Sequence, residues 1–491
     1  MTKLELNKLA RNTKFAHHIT ENLINNYQVK TGPLTFSYAT SGIQNEHLSA
    51  FEQLCKEKNI HKKLQQLLNQ KKVNQSENRA VNHHLLRQLN QDNFYQNELQ
   101  RFIRFVKEFD IGQFEHIVQV GIGGSFTGPK LCIEALKPWA ITNNCRAVKS
   151  IHFISNIDPD QTQSILFDLN LKKTLFIVAS KSGSTQETIA NIELIKQIAE
   201  NQKVRNIEQH CIGITCKNSF LEKNYQFSEY FYIDEAIGGR FSTCSVISLC
   251  ILAFSYGIEC INLLLQGAFS VDQDLSKISP KENAALLNAC LNIWFRNYCG
   301  YQTLGIIPYS GALQCLPQFI QQLSCESLGK QCTTTEKPVT ENTSTLVYGE
   351  QGSNAQHAFF QMAHQGTSIL PLQFIAFKES NFSKALNGSN QHILNSNLAA
   401  QISSLVQGKS HTSLNKTFFG NRPSTLIIAE KLTPHTLGAL IAFYENSVMF
   451  ESFLLNINAF DQEGVELGKA LTKALLENKA DQITTSFYNL L

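Results

Sequence analysis

The segment from Thr174 to Ile198 constrains the fold more than any other. An unbroken apolar run, Leu175 to Ala179, leads through Ser180 into KSGSTQET and then into IANIELIKQI, whose apolar positions fall at helical spacing. That succession predicts a buried strand, a tight polar loop and a helix. Ser180, Lys181, Ser182, Gly183, Ser184 and Thr185 put hydroxyls, one ammonium and free backbone N–H groups at the helix start, where the helix's partial positive charge favours a phosphate. Ser/Thr clusters also serve as plain helix caps, and the loop alone leaves both readings open. The GxxxxGK[ST] pattern of a nucleotide loop is absent. A hydroxyl-rich cradle with one lysine suits a small dianion, whereas nucleic acid calls for a broad basic face.

Other segments repeat the theme. HIVQVGIGGSFTGPKL joins a strand to a helix through Gly121, Gly123, Gly124 and Gly128, but Phe126 stands where a dinucleotide fingerprint needs its last glycine. The glycines are expected to bring backbone close to something small, such as a sugar. SIHFISN, HCIGITC, TLGIIPY, STLVYGE and STLIIAEK supply further strands separated by helix-like runs. The alternation predicts an α/β protein with mainly parallel sheets and a ligand at the carboxyl edge of the strands. One α/β unit is expected over 97–265, and a larger discontinuous one over 1–96 and 266–491, where the pattern restarts after about residue 280. Residues 1 to about 95 read as polar and mostly helical.

The 491 residues carry 43 basic and 40 acidic side chains, a net +3, too balanced for a polyanion or membrane surface as main partner. Thirteen cysteines without a CxxC pair predict reduced thiols and a cytoplasmic setting. No secretory leader is visible in MTKLELNKLARN, and the longest apolar stretch, 245–256, predicts a buried helix rather than a membrane span.

Several residues stand where chemistry is expected. Arg240, between glycines and a Ser/Thr pair, can meet developing negative charge or serve as an ion-pair partner. Glu350 follows a strand, beside a glycine and ahead of a helix, which suits a general base and equally an N-terminal helix charge. ENRAVNHHLLR predicts a helix with Arg79 and His83 four apart on one face. In NINAFDQEGVELGKAL, Gln462 and Lys469 are seven apart and share a face if the segment is helical.

Taken together, five segments resemble the glucose-6-phosphate isomerase family, in family order: VGIGGSFTGPKL, FIVASKSGSTQET, GGRFSTCSVIS, GEQGSNAQHAFFQMAHQGT and NINAFDQEGVELGK. The resemblance implies two sugar-isomerase (SIS)-type doubly wound domains with a C-terminal helical arm, and a cytoplasmic homodimer with its active sites near the subunit contact. The reaction it implies interconverts glucose 6-phosphate and fructose 6-phosphate through a cis-enediol(ate), in glycolysis and gluconeogenesis, without metal, cofactor or nucleic acid. Carried over by position, Ser180, Lys181, Ser182 and Thr185 hold the phosphate, Gly124 and Ser125 line the sugar, and Arg79 and His83 lie nearby. Glu350 is the base, Arg240 the partner of the intermediate, and Gln462 and Lys469 the C-terminal contribution.

The chain departs from the pattern where the family carries a ring-opening histidine, since Asn381 stands there and the segment after it is altered. His392, or Lys469 with water, are the groups left for ring opening. Phe126, Gln351 and Glu463 replace the family's usual Asp, Pro and Trp. The alternative function is a ring-opening-impaired or non-catalytic sugar-phosphate sensor on the same fold.

Overall fold

A computed structural model of the chain describes residues 2–12, 19–89, 92–382 and 389–491. Eleven strands among them form two sheets: β1 (Gln28–Thr31), β2 (Leu34–Ser37), β3 (His116–Val120), β4 (Ser150–Ile154), β5 (Thr174–Ala179), β6 (Cys211–Thr215), β7 (Glu229–Tyr232), β8 (Thr303–Pro308), β9 (Leu346–Gly349), β10 (Leu372–Glu379) and β11 (Ser424–Lys431). The first sheet runs β4-β3-β5-β6-β7 and is parallel throughout. Every residue of β5 and β6 is buried, which is why both read as continuous apolar runs rather than alternating ones. The register pairs Val120 with Val178 and Ala179 with Ile214, so β3, β5 and β6 end at one edge and their loops emerge together.

The second sheet runs β1-β2-β11-β10-β8-β9. Its β8 to β11 core is parallel, and the β1-β2 hairpin joins it antiparallel through β2. This hairpin lies inside the stretch expected to be mostly helical. Its strands are four residues each and partly polar, too short for a period-2 pattern to register.

Between the sheets lies a helical core. Helix Pro434–Leu455 is buried on all sides, with only His435 left partly accessible, as its nearly continuous apolar sequence requires. It crosses helix Ile258–Asp272 closely enough that a methyl group on Gly438 would strike the Leu264 carbonyl, and one on Gly267 the His435 carbonyl. Helix Val246–Tyr256 is buried along its whole length, as its composition implied. No helix among the described residues is long and apolar enough to cross a membrane.

The 77–87 segment departs from expectation. Arg79 pairs with Asn74 in an isolated antiparallel bridge, and the chain turns helical only at the 3-10 stretch His83–Arg87. Arg87, fully buried, ties that stretch to the core through Asp272 (2.8 Å) and Glu445. The ion pairs override the helical spacing, so Arg79 and His83 do not share a helix face.

Candidate active site

The carboxyl edge of the parallel sheet opens into a cavity of about 910 Å³. Its wall includes Arg79, Gly124, Ser125, Ser180, Lys181, Ser182, Thr185, Arg240, Gln462 and Lys469, ten of the thirteen candidates drawn from the sequence. Their common location follows from topology, because the loops after β3, β5 and β6 share one edge.

The loop after β5 is built to leave donors free. Ser180, buried, extends the strand by donating its N–H to the Ile214 carbonyl, and Gly183 N–H closes a turn onto the Ser180 carbonyl at 3.0 Å. Thr185 occupies the cap position of helix Gln186–Asn201, yet its side chain makes no capping bond. It meets the Ser180 hydroxyl at 3.0 Å and that of Ser182 at 3.5 Å instead. The first N–H groups of the helix therefore face the loop without a side-chain cap, an arrangement with room in its hydrogen bonding for an anion. Lys181 reaches the Glu235 carbonyl (2.7 Å), and burial, with Arg79 adding repulsion, lowers its pKa. A dianion entering this loop would restore the balance.

Gly124 opens helix Gly124–Thr142, and a methyl group there would collide with the Gly239 carbonyl, so the glycine is what lets the helix start abut the Arg240 turn. Arg240 is almost fully buried and every N–H is engaged. Nε donates to the Ser327 hydroxyl (2.6 Å), Nη1 to Glu326 (3.0 Å) and Gln462 (3.2 Å), and Nη2 to the carbonyls of Ala459 and of Asp461 (2.9 Å). It is thus an ion-pair partner that also lines the cavity. Burial lowers its pKa, against Glu326 and Asp461 acting to raise it.

Gln462 precedes the 3-10 turn Glu463–Val465 with φ −151°, outside helix Glu466–Leu476 that carries Lys469. The two line one cavity without sharing a helix face. Lys469 is exposed and pairs with Glu466 at 2.7 Å.

Three candidates stand elsewhere. His83 is buried behind the wall, its ring 4.9 Å from that of Phe241 and 6.3 Å from that of Phe460, and burial pushes its pKa well down, leaving a neutral packing residue. His392 is exposed near the start of helix Ser389–Gln407 and does not line the cavity. Glu350 follows β9 directly, its carboxylate accepts the Gln351 N–H (2.9 Å), and it is not part of the cavity wall either. Helix Leu316–Leu328 connects the two places: Gln321 donates to the Val347 carbonyl of β9 (2.7 Å), while the neighbouring Gln322 and Glu326 enter the wall. Asn381 donates to the Leu432 carbonyl (2.9 Å), a structural bond, and residues 383–388 of the altered segment lie outside the described residues. Phe126 packs edgewise on Phe153 beneath Lys130.

Sequence reasoning missed Gln322, Glu326, Lys217 and Asn218. The last two follow β6, so the strand-edge rule would have found them. Gln322 and Glu326, four apart on a helix, share a face, a signal that only became visible with the helix placed.

The model of the phosphoglucose isomerase family matches residues 37–489. A glucose-6-phosphate isomerase of Treponema denticola is 40% identical over 508 residues, covering 98% of this chain and 96% of its own. One from Borreliella afzelii is 40% identical over 468 residues, covering 90% and 88%. The crystal structure of a glucose-6-phosphate isomerase from Chlamydia trachomatis superposes with a TM-score of 0.93 at 34% identity, covering 100% of this chain and 98% of that one. With matches of this extent to a sequence model and to a solved structure, the chain belongs to the phosphoglucose isomerase family.

Proposed function

We propose that this chain interconverts glucose 6-phosphate and fructose 6-phosphate. The observation that carries the reading is one cavity lined by the uncapped hydroxyl loop, Arg240 and the Gln462–Lys469 segment, in a chain matched over its length by glucose-6-phosphate isomerases. The phosphate is held by Ser180, Lys181, Ser182, Thr185 and the helix start. Arg79, Gly124, Ser125 and Gln462 face the sugar.

The proton on C2 of the open-chain aldose is weakly acidic, so a carboxylate must take it while a cation stabilises the enediolate. Glu350 is the base and returns the proton to C1, which gives the ketose with no net change of oxidation state. Arg240 exchanges its Nη1 bond to Gln462 or Glu326 for one to the enediolate oxygen. Ring opening falls to Lys469, which is already at the cavity, whereas His392 does not line it.

A second copy is part of the reading. The C-terminal arm exposes Leu467, Leu476, Ile483, Phe487, Tyr488 and Leu490, between 61% and 82% accessible, an apolar face suited to a homodimer contact. Thirteen free thiols support a reducing, cytoplasmic compartment.

The test is NMR observation of fructose 6-phosphate with purified protein and EDTA. Glucose 6-phosphate should appear, and Glu350→Gln should lower turnover by about 10²- to 10⁴-fold while sorbitol 6-phosphate still binds. Unchanged turnover in that variant removes Glu350 from the role of base. Binding without isomerisation by the unaltered protein would make it a sensor.

A further inference from the structure

The arm poses a problem of aim. From Glu463 to Tyr488 none of its helices buries a residue, yet Gln462, Val465 and Lys469 line the cavity. Within one chain such a segment is held only at its base, and that base is a polar knot around Asp461.

The Lys330 ammonium lies 2.6 Å from the Asp461 carboxylate and 2.6 Å from the Asp461 carbonyl. The pair is nearly buried, with side chains 13% and 11% accessible. The same carboxylate accepts the Ser76 hydroxyl (2.5 Å) and the Asn458 amide (2.7 Å). The Asp461 carbonyl also takes Arg240, and Asn458 continues to Asn74 (2.9 Å). Three separate stretches, the 74–76 turn, the Arg240 turn and the chain just past helix Leu316–Leu328, thus converge on the residue immediately before Gln462. Neither Lys330 nor Asp461 lines the cavity.

We propose that Lys330 and Asp461 are positioning residues: their ion pair fixes the direction in which the chain leaves Phe460 and so aims Gln462 and Lys469 at the ring end of the sugar phosphate. The inference rests on the reading of Lys469 given above. A buried ion pair contributes little net stability on its own, so a role in geometry accounts better for its burial beside the cavity. Misplacing a reacting group by about 1 Å costs about 10²-fold in rate.

The experiment uses the full chain with Lys330→Met, Lys330→Arg, Asp461→Asn, Lys469→Met and the Lys330→Met/Lys469→Met double variant, all measured well below their Tm. Lys330→Met and Asp461→Asn should lower kcat by about 10- to 10²-fold, with KM for fructose 6-phosphate and affinity for sorbitol 6-phosphate changed by less than about threefold. Lys330→Arg should recover most of kcat. The double variant should lose less than the two single effects combined, because with Lys469 gone only Gln462 is left to aim. A kcat within about twofold of wild type in folded Lys330→Met, or full additivity in the double variant, overturns the proposal. If Lys330→Met does not fold, Asp461→Asn, equal in size to the original, carries the same readouts, and failure of both to fold makes the pair structural and overturns it as well. Wild-type activity in Lys469→Met, or none in the unaltered protein, defeats the functional reading itself and the inference with it.

Discussion

Thr185 illustrates how a residue at a helix cap position can turn its hydroxyl away from the helix and toward a neighbouring loop. The sequence placed it correctly before the helix, but whether its hydroxyl turned back to a helix N–H or sideways to Ser180 depended on the Gly183 turn, which no composition reveals. Arg240 was legible as a cation between glycines and a Ser/Thr pair; its five protein acceptors were not, because Ser327, Ala459 and Asp461 come from remote parts of the chain. Another remote pairing sets a pH dependence. Glu451 is buried within helix Pro434–Leu455, with Asn292 as hydrogen-bond donor at 3.0 Å, and burial raises its pKa to about 8. Between the ordinary carboxylate range and about pH 8 the native state therefore holds a proton that the unfolded state has released, so stability falls across this window as pH rises. Glu451→Gln should remove that component, about 1.4 kcal/mol per pH unit within the window. Thermal unfolding from pH 5 to 9 checks it, with a slope for Glu451→Gln equal to wild type as the contrary result.

Among the elements, β3, β5 and β6 were readable because they are almost wholly buried on both faces and lead straight into the turns after Val120, Ala179 and Thr215. β3, β5, β6, β8 and β11 fall within a residue or so of their expected bounds. The β1-β2 hairpin and the 77–87 segment were not readable, and for one reason: both are shaped by partners far along the chain. β2 is held by β11, and the His83–Arg87 turn by carboxylates on two core helices. Arg87→Met would leave Asp272 and Glu445 buried without their cation, and should cost about 3–5 kcal/mol of unfolding free energy. Urea titration measures it. A change below about 1 kcal/mol would show that the pair does not anchor the turn.

At the scale of the molecule, the loop after β5, the Arg240 turn and the start of the arm line one cavity of a single chain, with Glu350 just past β9 of the other sheet and an apolar arm face turned outward. The sequence, through its resemblance to one family, gave grounds to expect the loop and Glu350 at one substrate; how they meet depends on helix Leu316–Leu328 and on whatever covers the arm. If the proposed homodimer forms through this face, the unaltered chain should sediment as a dimer and Leu467→Lys with Phe487→Asp as a monomer at micromolar concentration. An unaltered sedimentation coefficient would place the contact elsewhere. The most direct test of the whole account is a crystal structure with sorbitol 6-phosphate bound. The phosphate should lie against Ser180, Ser182 and Thr185 with the Glu350 carboxylate about 3 Å from the C1–C2 end of the same molecule; a ligand seated in the loop with Glu350 still outside the cavity is the contrary result.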